Sequence, residues 1–327
     1  MTLHRRSFNQ ALAAVLAGPT ALAASAQAAW PAKPIRYIVP FAPGGTTDVL
    51  ARVVGEKLAQ ALGQQVLIEN KPGQGGSTGS AELARAAPDG YTIGGGTISS
   101  HAINVTLYDK LPYDPVTSFA PITLYATQPN VLVLHPSVPA SNLREFIALL
   151  KANPEKYAFG SAGNGTSQHI SGEMFKTQAG VRMQHIPYRG SGPMLTELLG
   201  GTLPVAFDNL APALPHIKAG KLRALAITTA HRSGVAPDIP TLAESGLPGF
   251  EISSWQAVFA PAGTPPAIID RLYTEINRIL KLPDVAKRLG DTGLDLSGMP
   301  PAELAALVKA DGPRLGKVVR ESGATAQ

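Results

Sequence analysis

Short runs of β-forming residues alternate with longer stretches of helical period along most of the chain. The first run, residues 35–39, is apolar except for Arg36 and reads as a buried strand. Pro40 and Pro43 end it, since neither can donate a ladder hydrogen bond. Gly44 and Gly45 follow, then Thr46, Thr47 and Asp48, residues suited to the start of a helix. Beyond them Val49, Leu50, Val53, Val54, Leu58 and Leu62 share one helical face, and Gly63 supplies a stop.

The same reading continues downstream. Residues 65–69 form a second strand, a glycine-rich loop runs from Asn70 to Gly79, and residues 80–86 are helical. Another strand begins at residues 91–93 and runs into the small, polar stretch 94–104, which contains Thr97 and Ser99 and suits a strand end facing a cleft. Residues 111–122 are Pro-rich and read as an irregular wrap or linker, after which residues 130–135 open a new strand. Ser141 caps a helix that lasts to Lys151. Further strands are predicted at 157–160, 181–188, 204–208 and 222–228, with an extended segment at 251–260. Helices are predicted up to about residue 178, at 194–199 and 214–219, and three times in the last part, over 265–280, 284–289 and 301–321.

Residues 157–188 repeat the order of the opening stretch: strand, glycine-rich turn (residues 161–169), helix, Gly180, returning strand. Two such units predict an α/β protein of two similar lobes, each a sheet flanked by helices. The first lobe takes residues 29–129 and 251–327, the second residues 130–250. A glycine pair before a helix admits two readings. It makes a tight turn, or it lets an anion approach the unpaired N–H groups of the first turn. Asp48 likewise either pairs with Arg52 one turn on or orders the loop before it. Asp208, at a strand end, either faces the cleft or caps a neighbouring helix.

Composition narrows the chemistry. Residues 1–28 carry Arg5-Arg6, an apolar run over 11–24 and Ala26-Gln27-Ala28, the pattern of a cleavable export signal, with Arg5-Arg6-Ser7-Phe8 similar to a twin-arginine motif. The chain has no cysteine, so thiolate catalysis and cysteine metal sites are excluded. A net charge of +5 without a Lys/Arg run argues against nucleic acid and is compatible with small anions. The loop at Gly73 fails the dinucleotide pattern, which would need glycine at Thr78, and neither a P-loop nor Gly-x-Ser-x-Gly occurs. Seven histidines lack zinc-site spacing, so no metal and no cofactor is expected; His101 and His169 lie in Gly-rich loops, where a structural role competes with a ligand-facing one.

The ordered series Phe41-x-x-Gly44-Gly45-x-x-Asp48-x-x-Ala51-Arg52, Glu69-Asn70-x-Pro72-Gly73-x-Gly75-Gly76-x-x-Gly79, Pro88-Asp89-Gly90-Tyr91-Thr92, Leu111-Pro112-Tyr113-Asp114, His185-x-Pro187-Tyr188-x-Gly190 and Phe207-Asp208 resembles the Bug/TctC family, the substrate-binding proteins of tripartite tricarboxylate transporters. The resemblance covers essentially the whole mature length. It implies a periplasmic, two-lobed Venus-flytrap protein that is monomeric and not an enzyme. Such a protein captures a small organic acid between its lobes and delivers it to the large and small membrane subunits of a transporter. It further implies ligand contacts from two loops: Phe41, Gly44, Gly45, Thr46, Thr47 and Asp48 in the first, and Ser161, Gly163, Asn164, Gly165, Thr166 and His169 in the second. Thr97, Ser99, Tyr188 and Asp208 complete the candidate site. Ala162 stands where the family commonly has proline, which weakens any transfer of ligand identity. Two other functions compete: an exported hydrolase of carboxylated esters or amides, using Ser161 or Ser167 with His169, and a ligand sensor for a membrane kinase.

Overall fold

The computed structural model describes residues 30–154 and 156–326. The predicted export signal lies outside them. The first unit follows the sequence reading closely: β1 (Ile35–Val39), α1 (Thr46–Leu62), β2 (Val66–Asn70), α2 (Ser77–Ala84) and β3 (Thr92–Thr97). β1 pairs in parallel with β2 and β3, so each crossover carries a helix onto the sheet. Val49, assigned to the buried face of α1, is instead 36% exposed; Leu50, Val53, Val54 and Leu58 form that face. A π-turn at Ser99–Ile103 and the short α3 (Asn104–Leu107) follow β3.

The largest departure from expectation is β4 (Phe119–Leu134), a single 16-residue strand. Its first part falls within the Pro-rich segment read as a linker, and the new strand does not begin at Asn130. Pro121 is tolerated because the ladder slips at a bulge beside it, and Pro129 stands at the last pair with β9, where the strand changes partners. β4 is buried along almost all its length, as a strand covered on both faces must be.

The second unit holds α4 (Leu143–Ala152), β5 (Ala158–Ser161), α5 (Ser167–Ala179), β6 (Gln184–Pro187), α6 (Ser191–Leu199), β7 (Val205–Asn209), α7 (Leu210–Lys218) and β8 (Arg223–Ile227). Asn142, not Ser141, caps α4, because its side chain accepts from the Glu145 N–H at 2.9 Å. The chain closes with β9 (Ser253–Pro261), α8 (Pro266–Leu280), α9 (Pro283–Gly290), β10 (Asp295–Met299) and α10 (Pro301–Ser322). β10 went unread in the sequence, having only Leu296 and Met299 as strong apolar residues.

The strands form one hydrogen-bonded path, β2-β1-β3-β9-β4-β7-β5-β6, with β10 and β8 also on β4. β4 therefore belongs to two half-sheets. Residues 119–129 pair with β9, and 124–127 also with β10, whereas 130–134 lie between β7 and β8. One core packs α1, α8 and α9 against the first half-sheet. A second sits between α6, α7 and the other half, and a third, containing Trp255, runs under α4, α5 and α10 across both. Trp255 donates its indole N–H to Asp311 of α10 at 2.8 Å.

Candidate functional site

Phe41–Gly45 loops over the C-terminal end of β1, and its shape is fixed by Asp48. One Asp48 oxygen accepts from the Gly44 N–H at 3.1 Å and from Arg52; the other takes Asn70 Nδ2 at 2.9 Å. Asn70 Nδ2 also donates to the Phe41 carbonyl. Burial of Asp48 raises its pKa, but the bonds from Arg52, Asn70 and the Gly44 N–H outweigh that and hold it below the usual carboxylate range. Asp48 thus orders the loop from behind. Gly44 is required by its conformation, φ +89°, in the left-handed region. Gly45 is not: its φ is −88°, and an added Cβ would meet nothing nearer than 3.6 Å.

Above this loop lies a small inner chamber of about 20 Å3. Thr46, Thr47 and Gly45 come from the start of α1, Thr97 and Ser99 from the end of β3, and Ser254 and Gln256 from β9. Gln168, Ser191 and Asn209 close it from the other half, with Phe41 and Ala162 at its outer end. Among the described residues the lining contains hydroxyls and amides but no ionisable side chain. Its polarity is oriented by buried glutamines: Gln128 Nε2 donates to Thr46 Oγ1 at 2.9 Å, and Thr47 Oγ1 donates to Gln256 Oε1 at 2.7 Å. Thr46 therefore keeps its hydroxyl proton to offer.

Four helices of eight residues or more begin at this chamber: α1, α5, α6 and α7. Gly45, Gly190 and Asn209 at the starts of α1, α6 and α7 provide no side-chain cap, whereas Thr166 caps α5 through the His169 N–H. Side chains from elsewhere take the Ala211 N–H of α7 (Gln128 Oε1) and the Ser167 N–H of α5 (Ser99 Oγ), while the first-turn N–H groups left open and the positive ends of four helix dipoles favour negative charge.

Past Phe41 and Ala162 the cleft widens into an outer chamber of about 460 Å3. Gln74, Gly75, Tyr108, Gly163, Asn164, Tyr188 and Arg189 are among its walls, and Ala326 reaches its rim, its carbonyl accepting from Asn164 Nδ2 at 3.2 Å. The two halves meet along glycines. A Cβ on Gly192 would strike the Pro43 carbonyl oxygen, one on Gly75 the Asn164 carbonyl oxygen, and Gly44 lies against the Gly192 Cα. Backbone rests on backbone there.

Of the sequence-predicted residues, Phe41, Gly45, Thr46, Thr47, Thr97 and Ser99 line the inner chamber, and Phe41, Gly163, Asn164 and Tyr188 the outer one. The remainder stand behind the walls. Ser161 Oγ pairs with His185 Nε2 at 2.7 Å; Thr166 Oγ1 donates to the Gly163 carbonyl. The Gly165 N–H donates to His169 Nδ1, and the His169 ring stacks on His185 with centroids 4.0 Å apart. Burial lowers their pKa values, to about 4 for His169 and about 2 for His185. His101 is deeper still, stacked on Phe259 and lowered by burial to about 3. Asp208 is wholly buried: one oxygen accepts from Ser191 Oγ at 2.5 Å and from the Asn209 N–H at 2.8 Å. Among the described residues, no cluster of three or more His, Cys, Asp or Glu is placed to hold a metal. Gln168, Ser191, Asn209, Ser254 and Gln256 were missed. Gly190-Ser191-Gly192-Pro193 reads as a chain break, yet it is the uncapped start of α6.

Residues 50–324 match the model of the tripartite tricarboxylate transporter family receptor, TctC. The chain belongs to that family. Solved members share its fold throughout. The periplasmic binding protein BugD is 34% identical, with a TM-score of 0.87 over 90% of this chain and 99% of that one. Rpa4515 of R. palustris, solved with adipate, is 36% identical at the same TM-score and coverage. MatC of Rhodopseudomonas palustris, solved with malate, is 34% identical with a TM-score of 0.85, covering 88% and 99% of the two chains. The architecture of this TctC-family member is accordingly that of a two-lobed periplasmic binding protein. Among its described residues no helix is long and apolar enough to cross a membrane.

Proposed function

We propose that this TctC-family receptor works in the periplasm, captures a small carboxylate between its lobes, and presents it as a monomer to the large and small membrane subunits of a tripartite transporter. Residues 30–129 with 251–326 make one lobe and residues 130–250 the other, and β4 is the strand shared between them. The observation that carries the reading is the inner chamber, where hydroxyls, amides and four helix starts converge with no ionisable side chain in the wall. Such a site stabilises a carboxylate by hydrogen bonds and dipoles, without an ion pair that would fix one partner geometry. Its size admits about one water-sized group, so the carboxylate head seats after the lobes part, and the rest of the ligand extends past Phe41 into the outer chamber. The adipate and malate bound by Rpa4515 and MatC are acids of this shape.

Hydrolysis fits the site less well. His169 bonds neither Ser161 nor Ser167; Ser161 pairs instead with His185, which burial lowers to about 2 and so makes a poor base, and Ser167 Oγ is turned to Asn130 and Gln168. Ser161 is buried beneath Gly163, whose N–H already donates to its hydroxyl. We therefore take the protein to be a carrier without catalysis.

The test is a thermal-shift comparison of malate, adipate, citrate, benzoate and nicotinate with their neutral amides. At about a hundred times Kd a ligand adds about 2.7 kcal/mol, a rise of several degrees. The acids, not the amides, are expected to raise Tm. Equal shifts from acid and amide would remove the anion site.

A further inference from the structure

The inner chamber contains no charged wall, but a carboxyl group lies directly behind it. Asp208, at the end of β7, is fully buried, and its Oδ2 has no hydrogen-bond partner among the described residues. Its other oxygen is held by Ser191 Oγ and the Asn209 N–H, and both Ser191 and Asn209 line the chamber. Asp208 is thus one residue removed from whatever the chamber holds.

The groups that face it are all neutral: Ser191 from α6, Gln168 from α5, Asn209 beside it, and Val131 opposite it on β4. The ionisable groups of the packed elements are turned away or stand further along. His169 faces Gly165 and His185; Glu173 and Lys176 of α5 pair with each other; Glu197 of α6 and His216 and Lys218 of α7 come about two turns after their helix starts. Among the described residues no cation compensates an ionised Asp208. A buried carboxyl with no counter-ion favours the protonated acid, and burial pushes it up to about 7 against the bonds from Ser191, the Asn209 N–H and Gln168, which favour the anion. An anion seated behind Ser191 would repel an ionised Asp208 through a dry, low-dielectric wall.

We propose that the chamber binds an acid as two ligands, the carboxylate anion in the cavity and a proton on Asp208, so that capture of the anion draws a proton from solvent. This rests on the carboxylate-binding reading above. The proton goes to Asp208 Oδ2, no covalent bond of the ligand changes, and the complex carries one charge more than its anion alone would give. The site then favours an acid with its proton over the anion by itself, and its affinity falls in alkaline solution.

Isothermal titration of the full mature chain with the acid giving the largest thermal shift in that screen decides the matter. Heats are compared in buffers of different ionisation enthalpy, which reads the protons taken up per ligand. At pH about 8 uptake is expected to approach one proton and at pH about 5.5 to vanish, with Kd rising up to roughly tenfold per pH unit between the free and bound pKa values. Asp208→Asn, which keeps an acceptor for Ser191 and places N–H where the acid proton would stand, is expected to bind with no uptake and a flat pH profile. Were that variant unfolded, the carboxyl 13C shift of aspartate-labelled wild-type protein, followed with and without the acid, supplies the assignment. Acid binding with no proton uptake at pH 8 would overturn the proposal and leave the carboxylate reading intact, and so would uptake that persists in Asp208→Asn. Uptake confined below pH about 6 would assign the proton to His169 or His185 instead. No thermal shift with any acid would end both readings.

Discussion

At the residue scale the site is governed by groups that never touch its contents. Asp48 was placed by the sequence on the first turn of a helix, with two roles open, an ion pair and a loop brace; its bonds to Gly44, Arg52 and Asn70 show that it fills both. The exchange of Asp208 and three histidines with solvent sets the stability profile. Asp208 has a folded pKa raised above its unfolded value near 3.9, so the stability its proton contributes is full below that pH and is lost as pH rises through about 7. His101, His169 and His185 are lowered, so the unfolded chain takes up their protons first, and stability falls as pH drops below about 6.5. Denaturant titrations of the ligand-free protein should therefore show a maximum between about pH 6 and 7. Asp208→Asn should gain on the wild type from pH 4 to 7 by on the order of 4 kcal/mol, at about 1.36 per unit. A constant difference would make Asp208 an ordinary ionised carboxylate.

At the element scale, legibility followed local chemistry. β1, the Gly44-Gly45 turn and α1 were readable because proline, glycine and a helical apolar face lie within one short window. β4 was not, because Pro121 and Pro129 argue locally for a loop and are overruled by tertiary burial of the whole strand. The start of α6 was missed for a related reason: Gly190-Ser191-Gly192-Pro193 has every mark of a turn, and only the fold reveals that it lies against the Phe41–Gly45 loop. Gly192 permits a sharp test. It lies in the first turn of α6 without a left-handed φ, so alanine suits the helix there, yet its Cβ would strike the Pro43 carbonyl. Gly192→Ala is expected to keep or slightly raise unliganded Tm while weakening the best acid at least tenfold, about 1.4 kcal/mol. Gly290→Ala, on a helix with open space around it, is the control. Wild-type affinity in both would mean that the glycine seam yields without cost.

At the scale of the whole molecule, the two-lobed plan was readable from a repeated order of elements, whereas the number of strands that cross between the lobes was not. Among the described residues β4 alone pairs in both half-sheets, and Trp255 of β9 lies beside its change of partners, paired with Thr127 and tied to Asp311 of α10. With only two tryptophans in the chain, Trp30→Phe leaves it as the sole emitter. Its emission is expected to shift on saturation with the acid, because α10, which holds the indole through Asp311, is also bonded to the other half where Thr177 of α5 donates to the Ser322 carbonyl. An unchanged spectrum, alongside compaction measured by small-angle scattering, would place the moving point elsewhere. The half-sheets are joined by one continuous ribbon of chain, β4, which changes partners from β9 to β7 and β8 between Pro129 and Asn130. Such a ribbon takes up twist more easily than in-plane bending. Mechanically it is a torsion bar rather than a door hinge, and a parting of the two halves is expected to wind about it with a screw component.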